Sequence, residues 1–182
     1  MRYRIGVLVG SLRKGSFSRS VAEAMAELFP EQFDVEFLEI EQLPYFNQDF
    51  EEEGATPQSY LDFRKKVAAC DGFLFATPEY NRSYPAVLKN ALDVASRPYG
   101  ASQWNGKPAA IVGVSPGQMG GFGASQHLRQ TLSFLNLDLV QQPEAYIGNV
   151  GALLDDGGRL VNEGTRAFLQ TVVDALVAKI RG

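Results

Sequence analysis

The sequence holds one cysteine, Cys70, and one histidine, His127, and these two scarcities remove whole classes of chemistry. A lone thiol cannot close an intramolecular disulfide or supply a cysteine-based metal cluster, which suits a reducing cytoplasm. Cys70 falls at the end of an apolar-faced segment beside Asp71-Gly72, the setting of a buried inert thiol. A lone imidazole without partners at defined spacing makes neither a Ser-His-Asp triad nor a zinc site, so His127 reads as a helix-surface or interface residue. Long apolar runs are missing too. Arg2 and Arg4 precede only Ile5 to Val9 before Gly10, too short for a signal peptide or a membrane span. No basic cluster exceeds Arg64-Lys65-Lys66, and the net charge is −4, so neither nucleic acid nor a membrane is an expected partner. The acidic run Asp49, Glu51, Glu52 and Glu53 lacks metal-ligand spacing and reads as a solvated face.

What is present is an alternation of strand and helix signals over a length suited to one domain, residues 1–182. Ile5 to Val9, Gly72 to Thr77 and Pro108 to Val114 are unbroken apolar runs, the pattern of strands buried on both faces of a parallel sheet. Phe33 to Ile40 alternates apolar with acidic residues, as an edge strand does. Leu137 to Val140, with Ala145 to Ile147 after Pro143, supplies a broken fifth strand. Helices are expected from about Ser18 to Phe29, from Thr56-Pro57 (N-cap and first helical position) to Cys70, from Pro85 to Ser96, from Ala124 to Leu135, and from Glu163 to Ile180. Trp104, in the connection before Lys107-Pro108, reads as a loop-packing residue. Strands and helices in this order demand a doubly wound α/β sheet with right-handed crossovers and helices on both faces. Ligands of such sheets bind beyond the carboxyl ends of the strands, so the loops after strands one, three and four matter most.

The first loop, Gly10-Ser11-Leu12-Arg13-Lys14-Gly15-Ser16-Phe17-Ser18, sets hydroxyls and two cations between a buried strand and a helix N-terminus. Free N–H groups, the helix dipole and Arg13 together suit an anion. The same composition also serves an ordinary capped turn. Ser16 stands where a Walker loop needs lysine, and no G-x-G-x-x-G follows the first strand, which leaves a phosphomonoester as the fitting ligand. In the second loop, Thr77 to Pro85, Tyr80 and Tyr84 offer rings against which a flat heterocycle can stack, or simply packing. The third, Ser115 to Gly121, admits close backbone approach.

The first loop, Gly10 to Ser18, and Pro78-Glu79-Tyr80-Asn81 of the second, followed by Leu88-Lys89-Asn90-Ala91-Leu92-Asp93, resemble the NADPH-dependent FMN reductase family, its quinone, chromate and azo-compound reductases in particular. The resemblance runs from the first strand to about Ile147. It implies a flavodoxin-like fold with five strands in the order 2-1-3-4-5. It further implies that Ser11, Arg13, Lys14, Gly15, Ser16, Phe17 and Ser18 hold the phosphate of a non-covalent FMN. Pro78, Glu79, Tyr80 and Asn81 then line the isoalloxazine, largely through backbone, with Ser115 on the far side. Ser18 departs from the asparagine common in the family, yet serine still caps a helix and bonds a phosphate oxygen.

The implied activity is electron transfer from NADPH or NADH, through FMN, to a small acceptor such as a quinone, chromate, an azo compound or free flavin. No side chain is required as catalytic acid or base, because the cofactor carries the chemistry. Leu88 to Asp93 is expected in structural contacts and at the interface of a homodimer or homotetramer, with Arg82 or Tyr84 able to reach a neighbouring site. The competing readings are a flavodoxin-type carrier that exchanges electrons only with proteins, and an interaction module of the same fold without FMN.

Overall fold

In chain order, a computed structural model that describes residues 2–52 and 54–182 runs β1 (Tyr3–Val9), α1 (Phe17–Ala26), β2 (Phe33–Phe37), α2 (Asp49–Glu52), α3 (Gln58–Ala69), β3 (Gly72–Thr77), α4 (Ala86–Ala95), β4 (Pro108–Val114), α5 (Phe122–Phe134), β5 (Asp138–Leu139), β6 (Ala145–Ile147), a 3-10 turn (Val150–Leu153) and α6 (Glu163–Arg181). All strand pairs are parallel, in the order β2-β1-β3-β4-β5, with β6 also paired to β4. The broken fifth strand is thus two short pieces lying on one neighbour.

Alternate residues of each inner strand feed the two sides of the sheet, as a period of two dictates. Ile5, Val7, Val9, Leu74, Ala76, Val112 and Val114 join α1 and α6 in one core, while Leu8, Phe73, Phe75 and Ile111 join α3, α4 and α5 in the other. Register then aligns the strand ends. Val9 lies beside Ala76, Ala76 beside Val112 and Thr77 beside Gly113, so the chain leaves β1, β3 and β4 at one level of the same edge. Gly113 is required there, because a Cβ at that position would come 2.5 Å from the Gly120 carbonyl oxygen of the returning loop.

Several local expectations are corrected. Thr56 does not cap α3: Pro57 occupies the N-cap position without a side-chain bond, and the Thr56 hydroxyl instead donates to the Phe50 carbonyl. α1 stops at Ala26 because its last turn tightens, with the Leu28 N–H bonded to the Met25 carbonyl. β2 ends at Phe37, with a last bond from the Leu38 N–H to the Val7 carbonyl, and Leu38 and Ile40 stay buried beyond it. Glu51 is not solvated but pairs with the buried Arg64, whose Nε also donates to the Val94 carbonyl; Glu53 lies outside the described residues. Trp104 does more than pack a loop. It is fully buried against Phe63, Phe73 and Phe75, with Nε1 donating to the Leu92 carbonyl at 3.0 Å.

Cys70 is the C-cap of α3, and burial pushes its thiol up to about 11 against a nearby, opposing Lys107. Lys107 is held there by donating to the carbonyls of Val67, Ala68 and Cys70. A raised thiol pKa stabilises the folded state below the unfolded value, and that contribution is lost as pH climbs from about 9 to about 11. Native protein at pH 8 should therefore react with a thiol reagent far more slowly than protein unfolded in guanidinium. Equal rates would show that Cys70 is exposed and ordinary.

Candidate functional site

The first loop turns on Gly15, whose φ of +66° suits glycine, and delivers Ser16 as the N-cap of α1. Ser16 Oγ accepts from the Arg19 N–H at 3.2 Å, and α1 has no acidic residue in its first turn. The positive end of the helix is thus left uncompensated by its own sequence. Ser16 and Ser18 are almost wholly buried, whereas Arg13 is exposed and lies over the Phe17 ring at 5.2 Å. Among the described residues, neither Arg13 nor Lys14 takes part in an ion pair.

The second loop is a tight hairpin, closed by Tyr80 N–H to Ser83 O at 2.9 Å and Ser83 N–H to Tyr80 O at 3.0 Å. Asn81 and Arg82 occupy its tip at φ of 51° and 68°, the two successive left-handed residues that such a turn demands. Asparagine tolerates this readily; arginine does so at a cost of about 1–2 kcal/mol. The half-exposed Tyr80 ring leans back toward the first loop, its hydroxyl 3.4 Å from Ser11 Oγ. Glu79 turns the other way, one carboxylate oxygen accepting from the Ala124 N–H and the other from Arg82. Tyr84 bonds Thr131 at 2.8 Å, and the exposed His127 bonds Ser83 at 3.1 Å, so both brace the hairpin against α5.

The third loop is anchored by Ser115, whose N–H donates to the Ile147 carbonyl and whose Oγ accepts from the Gly117 N–H at 3.0 Å. Pieces of all three loops bound one cavity of about 480 Å³: Ser11, Arg13, Ser16, Phe17 and Ser18, then Pro78, Glu79 and Tyr80, then Val114, Ser115 and Pro116. Its size falls within the ~300–1,000 Å³ of cofactor sites. Lys14 and Gly15 line an adjoining cavity of about 500 Å³ that shares the Arg13 and Phe17 wall. Asn81 stands at the hairpin tip and lines neither. Val114 and Pro116 were not singled out in the sequence, although their positions flanking Ser115 carried that signal.

One end of this cavity is polar and cationic, built on a helix N-terminus; the other is a slot between Pro78, Tyr80 and Ser115. That pairing fits a phosphomonoester carrying a flat heterocycle, and FMN meets both demands. Placed at the switch point of a sheet ordered 2-1-3-4-5, it defines a flavodoxin-like protein of the flavin-binding class. The chain belongs to the NADPH-dependent FMN reductase family, whose model matches residues 3–152. It is 50% identical over 179 residues to a quinone reductase of Pseudomonas putida, covering 98% of this chain and 95% of that one. It is 45% identical over 181 residues to a 2-hydroxy-1,4-benzoquinone reductase of a Burkholderia species, covering 100% and 98%. Among solved structures, the FerB flavoenzyme NAD(P)H:(acceptor) oxidoreductase of Paracoccus denitrificans superposes with a TM-score of 0.90 at 38% identity, over 98% of this chain and 97% of that one.

Proposed function

We propose that this protein is an FMN-dependent NAD(P)H:quinone oxidoreductase acting in the cytoplasm on small acceptors. The observation that carries this reading is the single cavity joining the α1 N-terminus and Arg13 to the slot between Pro78, Tyr80 and Ser115. FMN, when bound, supplies the hydride and electron chemistry. The chain's own residues bind and orient it. Arg13, Ser16 and Ser18 face the phosphate end, where a buried hydroxyl pair and a guanidinium fix one anion in one place. Pro78 and the Tyr80 ring shield one side of the slot from water, and Ser115, its hydroxyl fixed by the Gly117 N–H, lies across from them.

The matching activity assay uses NADH and NADPH against quinones, chromate, azo dyes and free flavin. Purified protein should be yellow, release FMN rather than FAD on denaturation, and reduce quinones with ping-pong kinetics. A colourless protein that takes up no FMN would sink the proposal.

The same reading makes the protein a homodimer or homotetramer, with α4 and α5 at the contact. Leu88, Ala91 and Leu92 are core residues, and Asn90 pins the chain at Leu43 to Phe46. Only Lys89 and Asp93 of that motif border the groove of about 820 Å³ between the two helices, where Phe134 stands 89% exposed. Sedimentation at micromolar concentration should give at least two copies; a monomer would refute this part.

A further inference from the structure

We infer that Glu79 is a positioning residue, whose carboxylate locks the second loop to the third and so sets the width of the flavin slot. The inference rests on the FMN reading above, and concerns not the Glu79 backbone expected at the ring but the Glu79 carboxylate, whose two oxygens both have protein partners. Three independent observations converge on the carboxylate. First, α5 begins at Gly121 with no side-chain cap and no acidic residue in its first turn, leaving N–H donors that need partners. Glu79 Oε2 accepts from one of them, the Ala124 N–H, at 3.2 Å, from 45 residues away in sequence. Second, Oε1 accepts from Arg82 Nη1 at 2.9 Å, and the Glu79 side chain is only 11% exposed. That contact braces the hairpin tip, where Arg82 sits in the left-handed region. Third, Gly123 makes room for the carboxylate: a Cβ there would come 3.1 Å from Glu79 Oε2 and 3.3 Å from the Arg82 carbonyl oxygen.

The consequence is mechanical. Pro78 and Tyr80, on either side of Glu79, form one wall of the slot, while Ser115 and Pro116, at the start of the loop that ends in α5, form the other. A carboxylate that caps α5 while bracing its own hairpin holds these walls at a fixed separation. It supplies negative charge where the helix dipole is positive, so the link is charge-assisted. Its loss loosens the grip on the ring and leaves the phosphate loop intact.

The test compares Glu79→Ala, Glu79→Gln and Gly123→Ala by titrating apoprotein with FMN and with riboflavin, and by recording the visible circular dichroism of the bound flavin. Glu79→Ala should weaken both flavins equally, by about tenfold, because part of the binding energy must then be spent on ordering the slot walls, and should flatten the flavin dichroism. Glu79→Gln keeps an acceptor for Ala124 and should recover most of both signals. Gly123→Ala, which crowds the carboxylate without removing it, should move both signals in the direction of Glu79→Ala, and it decides the question if that variant does not fold. Wild-type riboflavin affinity and dichroism in Glu79→Ala, or in Gly123→Ala should Glu79→Ala not fold, would overturn the inference while leaving the proposed function untouched. Wild-type protein that binds neither flavin would instead overturn the function on which it rests.

Discussion

Arg13→Ala should lower FMN affinity by roughly one to two orders of magnitude, because it removes a charge-assisted hydrogen bond worth about 1.5–3 kcal/mol. Riboflavin, which has the same ring and no phosphate, should bind almost as before. The structure sharpens this expectation. Arg13 is exposed and free of any ion pair among the described residues, so no stranded carboxylate is left behind by its removal. Among the described residues its one aromatic partner is Phe17, which keeps its place in the cavity wall. Fluorescence titration with both flavins checks the result. Equal weakening of the two ligands would mean that Arg13 supports the ring or the loop itself, and that the phosphate assignment is wrong.

The largest effect on stability is expected at Trp104. Truncation to alanine empties the space among Phe63, Phe73 and Phe75 and removes one of two donors to the Leu92 carbonyl, which keeps only the Ser96 N–H. The cavity and transfer terms together cost about 3–5 kcal/mol, and for a chain of this length each kcal/mol lowers the melting midpoint by about 2–4 °C. A fall on the order of 10 °C should follow in the apoprotein, where bound cofactor cannot mask the loss. Trp104→Phe should fall less, since it restores part of the ring volume but not the hydrogen bond. A shift under about 3 °C for the alanine variant, measured by thermal unfolding, would show that the ring is not the centre of that core.

The strands were legible where periodicity is local. Gly72 to Thr77 and Pro108 to Val114 are unbroken apolar runs, and their observed ends coincide with the ends of those runs. The acidic alternation of Phe33 to Phe37 placed it at an edge, which the topology bears out. The three loops that the doubly wound order singled out do meet at one cavity. Contacts that join distant segments were not legible. Nothing near Trp104 in sequence shows that Leu92 and three phenylalanines surround it, and nothing in the acidic run near Glu51 shows that Arg64 waits on α3. Glu79 sits in the motif that carried the resemblance, yet its partner lies in α5, and only the second glycine of Gly121-Phe122-Gly123 hinted at a side chain needing room. Thr56-Pro57 misled in the opposite way, because a good capping pair was diverted by a nearby carbonyl.

The two margins of the sheet bear on how copies of this chain can meet. On one margin, β2 is five residues long and turns Asp34 and Glu36 to the solvent, where Arg2 and Lys66 answer them. On the other, the row is split into β5 of two residues and β6 of three, with Pro143 between them. Neither offers a long, flat ladder onto which a further strand could zip, so edge-to-edge growth into fibres or continuous intermolecular sheets is disfavoured. The proposed homodimer or homotetramer would then have to form through the helical flanks, where a two-fold contact closes on itself and leaves no surface for open-ended growth.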